Sequence, residues 1–130
     1  MEIGEKIREI ALTYVGQTEL KNNSGFKDST FQSRMQQTGW RSGLSWCAFT
    51  GELIYTEAYK GTTIERDVIR LFSGSATETF KNFDLDPSWQ TSTTVPVIGA
   101  IAVWRHGLSW QGHLAIVTGV NIAAGTFETV

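Results

Sequence analysis

Gly99-Ala100-Ile101-Ala102-Val103-Trp104 and His113-Leu114-Ala115-Ile116-Val117-Thr118-Gly119-Val120 are two short apolar runs near the end of a 130-residue chain. Their length and character read as strands buried in a sheet. Between them, Arg105 to Gly112 holds two glycines and a serine and reads as a turn or a longer loop. Asn121 to Gly125 reads as a second turn, and Thr126-Phe127-Glu128-Thr129-Val130 alternates like a third strand. The C-terminal third is therefore expected to be a strand meander.

Before Pro96 the apolar period is helical. Ile3, Ile7, Ile10, Ala11, Tyr14 and Val15 form one stripe, with Gly16 placed to end the helix. Residues 17–25 are polar and contain Asn22-Asn23-Ser24-Gly25, a loop. Asp28 or Ser29 can start a short helix to about Thr38, with Phe31 and Met35 one turn apart and Gly39 at its end. Ser45 can cap a helix from Trp46 to about Tyr59 that turns Phe49, Leu53, Ile54 and Ala58 inward, and Gly61 would stop it. Residues 64–72 read as another short helix, started by Thr62 or Thr63. The Ser/Thr-rich stretch 73–95 carries Phe80, Phe83 and Trp89 and is expected to hold one or two helical turns. Helices followed by a strand meander make an α+β domain. With no repeat, low-complexity segment or linker, one domain is expected.

Composition narrows the functional classes. The chain is long enough to bury one core, and 41% hydrophobic with 18% charged residues is a globular balance. A net charge of -2 supplies no basic field for nucleic acid or a membrane surface. One cysteine forms no internal disulfide. Met1-Glu2-Ile3-Gly4-Glu5-Lys6 lacks the basic-then-apolar build of a signal peptide, and no apolar run approaches the ~20 residues of a membrane span.

The chemistry centres on Ser42-Gly43-Leu44-Ser45-Trp46-Cys47-Ala48-Phe49. Its cysteine stands where a Gly/Ser loop turns into a helix. The positive end of a helix dipole favours an anion, and the thiolate is the nucleophilic form of cysteine. The alternative is a small buried hydrophobe, the common fate of a free cysteine. A nucleophilic cysteine needs an imidazole, and the chain offers His106 in a turn and His113 at the head of an apolar strand. A polar ring in that position needs a partner if it is buried. Two histidines and one cysteine without close ligand spacing make a poor zinc site, so no metal or other cofactor is expected. Trp46, Trp104 and Trp110 are candidates for cleft walls, with core packing the common fate of each. Glu19, Asn22 and Asn23 read as a turn before they read as a cleft wall.

Trp46-Cys47-Ala48-Phe49 followed by a helix resembles the nucleophile segment of CHAP domains, the cysteine, histidine-dependent amidohydrolases/peptidases related to NlpC-type cell-wall enzymes. Pro96-Val97-Ile98-Gly99-Ala100-Ile101-Ala102-Val103-Trp104 resembles the strand that follows Pro-x-x-Gly in that family, and Gly112-His113-Leu114-Ala115-Ile116-Val117-Thr118-Gly119-Val120 resembles its histidine strand. Val15-Gly16-Gln17-Thr18-Glu19 with Asn22, Asn23 and Gly25 is similar to the lead-in of one CHAP subgroup. The order of the motifs, with 66 residues from Cys47 to His113, strengthens each of them.

The resemblance implies a papain-like fold, N-terminal helices on a C-terminal antiparallel sheet. It implies Cys47 as nucleophile and His113, rather than His106, as base. It also implies an acidic or amide side chain that orients the imidazole, for which Glu128 is the nearest candidate and Asn121 a weaker one. Residues 1–130 then form a single CHAP-like catalytic domain that stops where the family's orienting run is expected. The implied activity is cleavage of amide bonds in peptidoglycan, by an N-acetylmuramoyl-L-alanine amidase or a peptide endopeptidase. The implied place of action is outside the cytoplasm, in the cell wall or periplasm. A phage lysin, a wall-remodelling enzyme and an antibacterial effector all fit. The rivals are a non-catalytic binding domain with Cys47 in its core and a thiol hydrolase of protein substrates. Nothing in the sequence sets the oligomeric state.

Overall fold

The computed structural model describes residues 2–105, 107 and 112–130. The chain runs through α1 (Ile3–Thr13), α2 (Ser29–Gln37), α3 (Cys47–Ala58), α4 (Glu65–Leu71), α5 (Ala76–Leu85), β1 (Ile101–Arg105), β2 (Gly112–Asn121) and β3 (Thr126–Thr129). The three strands form one antiparallel sheet in the order β1-β2-β3. The α+β class and the order of elements agree with the sequence reading. Among the described residues no helix is long and apolar enough to cross a membrane.

Helix α3 is the central element. Ala48, Phe49, Gly51, Leu53, Ile54, Tyr55 and Ala58 are all buried, spread around its circumference. A helix that is apolar on every side belongs inside a core. It packs against α1, α2, α4, α5 and β2. Ile7 and Ala11 reach it from α1, Phe31 and Met35 from α2, Val68 and Leu71 from α4, Phe83 from α5, and Leu114 and Ile116 from β2, in one continuous core. Gly51 sets how closely α3 approaches the sheet: a methyl group there would stand 2.6 Å from Leu114 Cδ2.

The ends of the elements show local chemistry. Asp28 Oδ1 accepts the Phe31 N–H at 2.9 Å and caps α2. Gly39, at φ 103, occupies the left-handed conformation just beyond the end of α2. Ser45 does not cap α3. The cap position is Trp46, whose carbonyl accepts both the Thr50 N–H and the Thr50 hydroxyl at 2.9 Å. The short helix expected near residue 64 begins at Glu65, and neither Thr62 nor Thr63 occupies its cap position. Residues 73–95 hold more helix than expected. Ser75 Oγ accepts the Glu78 N–H at 3.3 Å and starts the ten-residue α5. Ser75-Ala76-Thr77-Glu78 has the S-x-x-E spacing of a capping box, a start signal hidden in the Ser/Thr background.

Candidate active site

Cys47 opens α3, and the segment that delivers it is held from two sides. Trp40 is fully buried and its Nε1–H donates to the Leu44 carbonyl at 2.9 Å. The Gly43 N–H donates to the Asn23 carbonyl at 2.7 Å, and the Ser42 hydroxyl donates to the Ser24 carbonyl at 3.0 Å. Trp46, half-buried, sets its ring edge-on to Phe26 at 5.3 Å and Phe31 at 6.4 Å. The thiol is half-buried: it borders the core and opens into a cleft. The first intrahelical bond belongs to Thr50, so the helix leaves the Cys47 N–H unclaimed.

His113 lies near the start of β2 and is exposed. The strand register sets it directly opposite Trp104 of β1, and the two rings meet at 5.4 Å and 68°. Cys47 and His113 line one cleft of about 560 Å³. Trp46, Thr50, Gly51 and Ile54 wall it from α3 and its cap, and Leu114, Ala115 and Ile116 from β2. Tyr14, Gln17, Glu19 and Asn23 close the remaining side. Among the described residues no hydrogen bond joins the sulfur to the imidazole. Catalytic hydrogen bonds are often formed only once substrate is bound.

The other sequence candidates divide. Trp46 lines the cleft. Trp104 does not; it borders a separate groove of about 780 Å³ along β1 and meets the site only through the His113 ring. Trp110 and His106 lie outside the described residues. Glu128 is not brought to His113. It pairs with Gly119, and its carboxylate packs where a Gly119 side chain would stand, 3.1 Å from that Cβ position. Gly119 is six residues along β2 from His113, or ~20 Å of extended strand. Asn121 is farther along the same strand, and its Oδ1 accepts the Ala124 N–H at 3.0 Å. Asn23 lies in a single turn at Lys21–Asn23 and Glu19 in a bridge to Phe26 beside it, and both line the cleft, the second of the two readings the sequence offered.

A family model for the CHAP domain matches residues 21–130. The chain belongs to the CHAP domain family. Comparison with curated proteins and with solved structures returned no match. Membership carries amidase or peptidase chemistry, typically on peptidoglycan. The matched span takes in α2, α3 and the whole sheet, and so both Cys47 and His113. Two cleft-lining residues carried no functional signal in the sequence, Thr50 within the matched CHAP span and Tyr14 just before it. Tyr14 donates to Glu57 of α3 and accepts from Arg34 of α2 at 3.0 Å. Burial and the Glu57 hydrogen bond push the Tyr14 phenol up to about 12, so it stays a neutral donor that ties α1 to the helices behind the cysteine. Its place in the α1 stripe made it legible as core and hid its polar end.

Proposed function

We propose that this CHAP domain is a papain-like cysteine hydrolase that cuts amide bonds in peptidoglycan, with Cys47 as nucleophile and His113 as its base. One observation carries the reading: a cysteine at a helix start and a histidine on a strand, 66 residues apart in sequence, line the same cleft. His113 takes the thiol proton, and the Cys47 sulfur forms a bond to the carbonyl carbon of the amide. The carbonyl oxygen gains the negative charge, and the free Cys47 N–H is the donor in reach of it. As the tetrahedral intermediate collapses, the C–N bond breaks and His113 gives its proton to the leaving amine. A thioester remains on Cys47. Water attacks it while His113 accepts the water's proton, then the C–S bond breaks, a carboxylic acid leaves, and His113 returns the proton to the sulfur to restore the thiol.

Trp104, on the strand before the histidine strand, sets its ring against the imidazole. An edge-to-face contact restrains ring rotation without supplying charge. The scissile bond is the sugar–peptide amide or one within the peptide. Action is proposed to be outside the cytoplasm, where the substrate lies.

The test is release of soluble fragments from labelled peptidoglycan. Wild type is expected to release them, and Cys47→Ala and His113→Ala to lose activity by at least ~10³-fold, the scale of nucleophile and base removal. Equal release by wild type and Cys47→Ala would sink the reading. Alkylation by iodoacetamide in the folded state, at neutral pH, separates it from the core-cysteine rival: a thiol inert until denaturation favours the rival.

A further inference from the structure

Glu19 is the one acidic side chain among the described residues lining the cleft, and no lysine or arginine lines it with them. Among the described lining residues, His113 is the other titratable side chain beside the thiol and the Tyr14 phenol. The cleft therefore presents negative charge to whatever enters. Glu19 is exposed and makes no ion pair or side-chain hydrogen bond with the described residues.

The backbone beneath Glu19 is held firmly. Glu19 bridges Phe26 in antiparallel fashion, the Leu20 N–H donates to the Gly25 carbonyl at 2.7 Å, and the Lys27 N–H donates to the Thr18 carbonyl at 3.0 Å. The tip of this loop is a single turn at Lys21–Asn23 in which Asn22 and Asn23 both lie at positive φ, 60° and 56°. Asparagine tolerates that left-handed conformation better than most side chains, so the tip keeps a defined turn. The Asn23 carbonyl is the one that accepts from Gly43. The loop carrying Glu19 is thus joined by a direct hydrogen bond to the segment that delivers Cys47. An acid on an anchored stretch of backbone, lining the same cleft as the nucleophile, suits a specificity subsite.

We infer that Glu19 recognises a substrate ammonium group, so that the preferred substrate is a peptide bearing a free amine close to the scissile amide. This deepens the proposed function and rests on it for the position of the reacting bond. Peptidoglycan stem peptides offer the chemistry in two places, the side-chain amine of a diamino acid and the α-amine exposed once the stem is detached from its sugar. Both would meet the same carboxylate. Asn23 and Gln17 line the same cleft, and their amide oxygens are acceptors of the kind an ammonium group needs.

Binding to the Cys47→Ala protein tests this apart from catalysis. The probes are L-Ala-D-Glu-L-Lys-D-Ala and its forms acetylated on the α-amine, on the lysine amine, or on both. The doubly acetylated peptide is expected to bind at least ~10-fold more weakly than the free one, with the difference shrinking as salt rises. Adding Glu19→Gln is expected to erase the difference, and whichever single acetylation reproduces the loss identifies the amine. Equal binding of the free and doubly acetylated peptides, a preference that survives Glu19→Gln, or no binding of any probe at millimolar concentration would overturn the inference. Hydrolysis of labelled peptidoglycan by wild type is scored separately. Its absence would overturn the hydrolase reading and leave the binding result standing.

Discussion

Gly51 and Leu114 are in such close contact that one added methyl would overlap them: the Cβ position of Gly51 lies 2.6 Å from Leu114 Cδ2 and 3.2 Å from Phe72 Cε1. Gly51 is one turn along α3 from Cys47, and Leu114 is the neighbour of His113. This contact fixes the spacing between the helix that carries the thiol and the strand that carries the imidazole.

Gly51→Ala is therefore expected to cost stability despite improving helix propensity. Overpacking costs ~1–3 kcal/mol and alanine returns up to ~1 kcal/mol in a helix. A net loss of about 1 kcal/mol is expected in denaturant unfolding, with Gly51→Val losing more. Hydrolytic activity is expected to fall further than stability, because the helix and strand are wedged apart at the site itself. A variant as stable and active as wild type would show that the contact does not set the spacing.

Trp104 is 44% exposed, so its removal exposes little core. Its edge-to-face contact with His113 is worth ~0.5–1.5 kcal/mol, up to about tenfold in rate if spent on orienting the ring. Trp104→Ala is expected to lower kcat several-fold with little change in KM or unfolding midpoint, and Trp104→Phe to restore most of it. A pure KM effect would assign Trp104 to substrate contact instead.

Trp40→Phe removes the donor to the Leu44 carbonyl and leaves a gap in the core. Loss of a part-buried hydrogen bond whose acceptor water can reach costs ~0.5–1.5 kcal/mol, and the gap in the core adds to it. Lower thermal stability is expected, together with faster hydrogen exchange at residues 41–46, the segment leading to Cys47. Unchanged exchange there would mean that the Asn23 and Ser24 carbonyls hold the segment alone.

Glu52 is buried on α3 at 7% exposure, and that burial pushes its carboxyl up to about 7 from the ordinary 4.5. The folded protein thus holds this proton more tightly than the unfolded chain does. Its stabilising effect is complete below about pH 4.5 and is lost as pH rises towards 7, because the unfolded chain ionises first. Wild type is expected to lose more thermal stability than Glu52→Gln between pH 5 and pH 8. Parallel pH profiles would contradict this.

Much of the fold was legible because its signals are local. The α1 stripe, the Asp28 cap, the Gly39 stop and the two apolar strands each depend on residues within a few positions of one another. Helix α5 was expected only as one or two turns without bounds, because the Ser75 and Glu78 signal lies in a stretch where serine and threonine are common. Cys47 and His113 were legible as candidates by residue type and by place, one at a helix start and one at a strand head.

The sequence alone determined the α+β order, the helix that begins at the cysteine and the strand that carries the histidine. The tertiary structure decided what surrounds them. Strand register set Trp104, not Glu128, beside His113, since each residue of β2 meets whatever the pairing places opposite it. The Asn23–Gly43 hydrogen bond turned a polar loop into a cleft wall and brought Glu19 to the site. These are contacts between segments far apart in the chain. Local propensity does not encode them, and they exist only after α3 has packed through Gly51 against β2.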